Sequence, residues 1–217
     1  MAKFIFSISA LLILTAYCTG RAQTIQFSSK NSLVDTSFKI TTIDCDSIYP
    51  NKNYKITFVA FDPVDNNNDN PNNHFTLSRL SRGAYTPILS DSIFSKTRIV
   101  EFADFNNDNV PDILVQHISD VRSNWTYYLY LVDTVQNRAI RIKGFEEIKN
   151  PVYLPKYGLI SNYVMSGKIW TSFYKIKGGS VKDFGIVIYD NQTDDGSYDS
   201  SYKKAIRAIL KKERSSR

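Results

Sequence analysis

The stretch RIVEFADFNNDNVPDILVQ, residues 98–116, places two apolar, β-branched runs on either side of an acidic loop that runs from Asp104 to Asp112. RIVEFA and the ILVQHI that begins at Ile113 have the length and composition of strands rather than helices. Between them stand three carboxylates and an amide at every second or fourth position. Carboxylates that close repel, and each raises the pKa of the others unless a cation lies among them. The stretch therefore predicts strand, cation loop and return strand.

Counted from Asp104 as the first position, Asn106 falls third, Asp108 fifth, Val110 seventh and Asp112 ninth. Calcium takes about six to eight oxygens, and this spacing offers three carboxylates, the Asn106 amide oxygen and the Val110 carbonyl. Asn109 occupies the sixth position, where such a loop turns through a left-handed conformation that asparagine tolerates best after glycine. Val115 stands where a helix-loop-helix calcium hand carries its bidentate glutamate, so the loop is not of that type. A plain Asx-rich hairpin loop is the competing reading. A similar run at 65–73 has proline at its seventh position and only two carboxylates, and is taken as chance.

Outward from this stretch, the chain reads as short alternating segments divided by turn residues. SFKITTID, NYKITFVAF, HFTLSRL, WTYYLYLVD, AIRIKGF, YGLISNYVM, KIWTSFYKI and VKDFGIVIY join the two runs above as strand candidates, ten in all. Aromatic residues make up 13% of the chain, which favours pleated sheet over helix. The expected fold is mainly β and antiparallel, with a distorted propeller-like or sandwich architecture. KGG at 177–179 and SGK at 166–168 are expected hairpin turns. One helix is expected, at the C-terminus: Tyr202, Ile206, Ile209 and Leu210 share a stripe, with Asp199 or Ser200 as cap.

Residues 1–22 read as a secretory leader, with Lys3 ahead of an apolar run and small residues at Gly20 and Ala22. The apolar run is shorter than the roughly 20 residues a bilayer needs, and no later stretch approaches that, so no transmembrane segment is expected. Cys18, just after the apolar run, leaves a lipid anchor as the alternative. The expected organisation is leader 1–22, β-rich domain 23–197, and helix with basic tail 198–217. After cleavage Cys45 is the sole cysteine, which excludes an intramolecular disulfide or a cysteine metal site.

Of the 27 Lys and Arg, seven fall in residues 203–217, beside one of the 21 Asp and Glu. The net charge of +6 is thus a property of the tail, and residues 23–202 carry −2. That balance argues against nucleic acid as a partner. The basic face reads either as solvated or as a weak contact to anionic surfaces. No catalytic constellation is visible: His74 and His117 are the only histidines, no nucleotide or nucleophile-elbow motif occurs, and Glu146 and Glu147 are adjacent on what reads as an extended segment, facing opposite ways. Cys45 lies between Asp44 and Asp46, whose charge would dull its nucleophilicity. The chain is expected not to be an enzyme.

Taken together, RIVEFADFNNDNVPDILVQ, then SDVRSNWTYYLYLVD, then LISNYVMSGKIWTSFYKIKGG resemble the FG-GAP/VCBS-like calcium-loop family of bacterial periplasmic proteins related to c-type lysozyme inhibitors and immunity proteins. The resemblance covers about residues 54–190. It implies Ca2+ held by Asp104, Asn106, Asp108, Val110 and Asp112, with Asn109 where the family has glycine. It also implies a partner-binding hairpin of Ser166, Gly167, Lys168 and Trp170, with Trp170 where the family has tyrosine. The partner so implied is a peptidoglycan hydrolase or lysozyme-like effector, met in the periplasm or outside the cell. A calcium-dependent surface adhesion or carbohydrate-binding module, with Tyr and Trp residues as a stacking face, is the alternative. Ser-Gly-Lys is in any case a good hairpin turn.

Overall fold

The computed structural model describes residues 23–26, 39–61, 70–192 and 195–215, with the side chains of 23–26 left aside. The leader with Cys18, and most of the 65–73 loop, lie outside the described residues. Among the described residues, thirteen strands form three antiparallel meanders, each continuous in sequence. The first sheet holds β1 (Gln23–Gln26), β2 (Lys39–Asp44), β3 (Tyr54–Ala60), β4 (Asn73–Ser81) and β5 (Ala84–Ile93). The second holds β6 (Val100–Ala103), β7 (Asp112–Ser119), β8 (Trp125–Asp133) and β9 (Arg138–Arg141). The third holds β10 (Val152–Leu154), β11 (Leu159–Ser161), β12 (Ile169–Lys177) and β13 (Ser180–Asp190). Helix α1 (Ser197–Ser215) closes the chain, and among the described residues no helix is long and apolar enough to cross a membrane.

Alternation of side chains along each strand decides how these layers stack. On one face of the second sheet, Ile113, Val115, Tyr128, Tyr130 and Val132 pack against Tyr54, Ile56, Phe58, Phe75 and Leu77 of the first. On its other face, Leu114 and Leu129 pack against Phe145, Ile148 and Ile160, joined by Tyr174 and Ile176 of the third sheet. The third sheet turns Leu159, Phe173 and Ile188 the opposite way, onto Ala205, Ile206 and Ile209 of α1. The molecule is thus four layers deep, sheet on sheet on sheet on helix, with the second sheet buried on both faces. That is why DILVQ runs apolar without alternation: consecutive side chains enter two different cores. All ten expected strands are present, and the architecture is mainly β and sandwich-like, as expected.

A cluster of polar contacts around Asp91 ties the first two sheets together. Arg141 on β9 pairs with Asp91 of β5 at 2.9 Å and with Glu146 at 2.8 Å, and its guanidinium lies 4.5 Å from the Tyr128 ring centre. Tyr130 Oη donates to the same Asp91 at 2.8 Å. Phe145–Glu147 is a 3₁₀ turn, not the extended segment expected, so Glu146 turns to Arg141 while Glu147 faces solvent. The KGG turn has both Gly178 and Gly179 at positive φ, 58° and 82°, the conformation a two-residue hairpin with right-handed strand twist requires. Helix α1 begins two residues ahead of Asp199, so Asp199 sits in its first turn rather than capping it, and Asp195 accepts the Ser197 N–H at 2.9 Å.

Candidate functional site

The acidic loop joins β6 to β7 as a tight Asx-built turn. Asp104 Oδ1 accepts the N–H groups of Asn106 and Asn107, and its Oδ2 accepts that of Asn109 at 2.9 Å. Asn106 Oδ1 accepts the Asp108 N–H at 3.0 Å, and Asp108 Oδ1 accepts the Val110 N–H at 2.8 Å. Asn107 and Asn109 both take left-handed backbone, φ 63° and 65°, and Asn109 does so at the position where the sequence required it. Tyr49 Oη braces the loop exit by donating to the Pro111 carbonyl at 2.7 Å.

Asp112 differs from the other two carboxylates because it is wholly buried. Its Oδ2 accepts the Phe105 N–H at 2.8 Å, closing the loop, and its Oδ1 accepts the Val132 N–H at 3.0 Å, fastening the loop to β8. Burial pushes its pKa up to about 7; the two backbone donors work against that, and Asp108 and Asp104 add to it. Those same carboxylates reach Tyr153, whose pKa rises first by burial and then by the charges of Asp104 and Asp112. The three acids therefore act on one region, and among the described residues none of them pairs with a Lys or Arg.

This donor set has the chemistry a hard divalent cation takes: three carboxylates that, among the described residues, have no counter-ion, each with lone pairs left after its backbone bonds, next to the Asn106 amide and the Val110 carbonyl. Two features stand apart from the expected set. The Asn106 amide nitrogen donates to Asp108 Oδ2 at 2.8 Å, so its dipole partly offsets the charge there. Among the described residues no three His, Cys, Asp or Glu side chains meet at metal-ligand spacing, so the carboxylates would have to draw in around an ion.

The Ser166–Lys168 turn lies elsewhere, between β11 and β12, closed by the reciprocal backbone pair of Val164 and Trp170. Asn124, 2% exposed at the start of β8, grips Met165 on both sides: its Nδ2 donates to the Met165 carbonyl at 2.7 Å and its Oδ1 accepts the Met165 N–H at 2.9 Å. Asn150 repeats the device, donating from Nδ2 to the Tyr163 carbonyl at 2.9 Å while its Oδ1 accepts the Trp125 N–H at 2.8 Å. Asp120 accepts both Asn124 Nδ2–H and Lys149 Nζ, and these donors hold its carboxyl well below the usual carboxylate range. A groove of about 500 Å³ runs along the turn, bordered by Arg122, Ser166, Lys168, Asp190 and Gln192.

Of the four residues expected at the hairpin, Ser166, Gly167 and Lys168 are exposed together at its tip. Ser166 Oγ donates to the Lys168 carbonyl, so its hydroxyl hydrogen organises the turn instead of facing outward. Trp170 is half-buried behind the turn, opposite Tyr189 of β13, and is not at the tip. Arg122, Asn124 and Asn150 went unrecognised in the sequence because they reach the turn and its groove from two other loops, up to 41 residues away, and carry no motif of their own.

The remaining candidates lie in packed surroundings. His117 lies between Phe94 and Tyr128, with Nδ1 3.3 Å from Thr126 Oγ1, and burial lowers its pKa. Cys45 is fully buried, and that burial, more than the flanking Asp44 and Asp46, pushes its thiol up to about 12. The chain matches no protein-family model, no curated protein and no solved structure.

Proposed function

We propose that this protein is a calcium-stabilised binding protein that inhibits a peptidoglycan hydrolase of lysozyme type, acting through the turn at Ser166–Lys168. The observation that carries the reading is the double grip of Asn124 on Met165, which makes the turn a rigid, preformed projection. A rigid contact loses little freedom on binding, so more of its interaction energy appears as affinity. Glycan hydrolases of this class work with paired carboxylates in a cleft, and a narrow basic projection complements that shape and charge. Lys168 and Arg122, both exposed beside the groove, supply the cations. The calcium loop lies on β6 and β7, and β7 continues through residues 120–124 into Asn124, so an ion there would stiffen the same hairpin that holds the turn.

The test is a muramidase inhibition assay against a panel of lysozyme-type enzymes. Lys168→Ala and Arg122→Ala are each expected to weaken inhibition about tenfold or more, the loss of one charged contact at a desolvated interface. Undiminished inhibition by the double variant would remove this turn from the contact.

A second reading rests on a different observation. Tyr189 is 55% and Val187 47% exposed on one face of β13, with Trp170 across from Tyr189. An open aromatic strip of this kind can stack on sugar rings, as a carbohydrate-binding module would. Tyr189→Ala would abolish retention on immobilised glycan under this reading; because Lys168 Nζ lies 5.9 Å from the Tyr189 ring centre, Lys168→Ala completes the separation, losing inhibition under the first reading and keeping glycan retention under this one.

A further inference from the structure

We infer that the outward face of α1 is a docking surface for an anionic lipid bilayer, a property separate from the inhibitory turn. At 3.6 residues per turn, Lys203, Arg207, Lys211 and Arg214 fall within an arc of about 80° and form a row about 16 Å long. All four are exposed. The apolar stripe of Ala205, Ile206 and Ile209 faces the opposite way, onto the third sheet, so the basic row points directly outward from the outermost layer.

The row is uncompensated. Among the described residues, none of its four cations pairs with a carboxylate. Glu213, the only acid in the second half of the helix, is turned inward and bonds Lys175 at 3.0 Å and Lys182 beside it. Lys203–Arg207 and Arg207–Lys211 are like-charge neighbours at i,i+4, an arrangement that weakens a helix. The helix dipole favours cations only in the last turn, so it accounts for Arg214 but not for Lys203 or Arg207. A pattern that costs helix stability and has no internal partner is explained by an external one.

Two features select the occupant. The arc between Lys203 and Lys204 holds Ser200 and no large apolar or aromatic side chain, so it has nothing to insert into hydrocarbon and nothing to stack on bases. A straight row on a convex helix meets a planar surface along its whole length, whereas against the cylinder of a nucleic-acid duplex only one or two of its cations would reach phosphates. The rest of the molecule, at −2 for residues 23–202, is repelled by the same surface, which orients the helix toward it and the other layers away. The contact is peripheral and electrostatic, and the potential it feels fades over about 10 Å at 0.1 M salt.

Co-sedimentation of the purified protein with vesicles tests this. Binding is expected to be at least about tenfold stronger on phosphatidylcholine vesicles containing about one third phosphatidylglycerol than on phosphatidylcholine alone, and to vanish between about 0.05 M and about 0.3 M salt. The triple variant Lys203→Gln, Arg207→Gln, Lys211→Gln should lose that preference, with Lys39→Gln on β2 as a control that retains it. Because these side chains are exposed and, among the described residues, pair with no carboxylate, a melting temperature that does not fall certifies the fold of the variant. Equal binding to both vesicle types, retention of binding by the triple variant, or tighter binding to a DNA duplex than to the anionic vesicles would each overturn the inference.

Discussion

Replacing Asn124 by alanine removes the clamp on the Ser166–Lys168 turn and leaves the turn's own residues untouched. The substitution deletes a donor to the Met165 carbonyl, an acceptor for the Met165 N–H, the bonds from Nδ2 to Asp120 and the acceptor used by Asn150 Nδ2 at 3.2 Å. Met165 is half-buried, so water can reach part of what is lost, and about 1 kcal/mol for each freed backbone group is the appropriate scale. The two Met165 groups together come to about 2 kcal/mol. For a chain of this size that is a fall in melting temperature of about 4–8 °C. The local effect should exceed the global one. Amide exchange read by mass spectrometry or NMR should show the Met165 N–H exchanging at least about tenfold faster, while the Leu129 amide, deep in the central sheet, slows or quickens only with overall stability. If the melting temperature falls within 1–2 °C of the unmodified protein, or Met165 keeps its protection, the turn is not held by Asn124 and the case for a preformed projection fails.

Calcium at about 1 mM against a Kd of about 0.1 mM, ordinary for extracellular sites, adds about 1.4 kcal/mol. Melting in calcium should therefore exceed melting in EDTA by about 3–6 °C, and identical curves would refute the metal loop. Asp112 gives the metal-free protein an unusual pH response. Its folded pKa of about 7 lies above the unfolded value of about 3.9, so the folded state holds the proton between these limits and stability falls as pH rises from about 4 to about 7. Urea midpoints in EDTA should be higher at pH 5 than at pH 8, and Asp112→Asn should flatten the difference; midpoints that rise with pH would contradict this. Glu213 acts with the opposite sign: Lys182 and Lys175 hold its pKa down to about 2, so its contribution is present above about pH 4.5 and lost as the pH falls toward 2. Far-ultraviolet circular dichroism should show α1 loosening over that acid range, and Glu213→Gln should remove the response. In the central sheet, Leu129→Ala should cost about 2–5 kcal/mol, read from denaturant unfolding, because the cavity cannot collapse between two packed layers.

Most strands were readable because period-2 alternation and aromatic content survive in single segments such as WTYYLYLVD. Ala84–Ile93 does not read as a strand, since Pro87 lies inside it and its first four residues are all exposed, with no alternation. The structure accepts the proline because β5 is the edge of its sheet, where a missing N–H breaks no ladder, and the register shifts beside it at Leu77 and Ser78. Val152–Leu154 is too short to carry a period at all. The stacking order was also beyond reach: Leu114 and Val115 look alike in sequence yet enter different cores. At the candidate site, loop geometry was legible because its Asx residues bond within the loop, and Asn109 adopts the left-handed turn its position demanded. The Asn124 and Asn150 clamps were not, since a single asparagine at a strand end signals nothing until its distant partner is in place.

Because each meander is built from one uninterrupted stretch, the layers can form in the order in which the chain is made, every new sheet settling on the one before it. The middle layer, however, matures with one greasy side bare until the third arrives. Any nascent chain halted before about residue 150 would display Leu114, Leu129 and Phe145 to its surroundings, and it is at that stage of synthesis that a chaperone has most to protect.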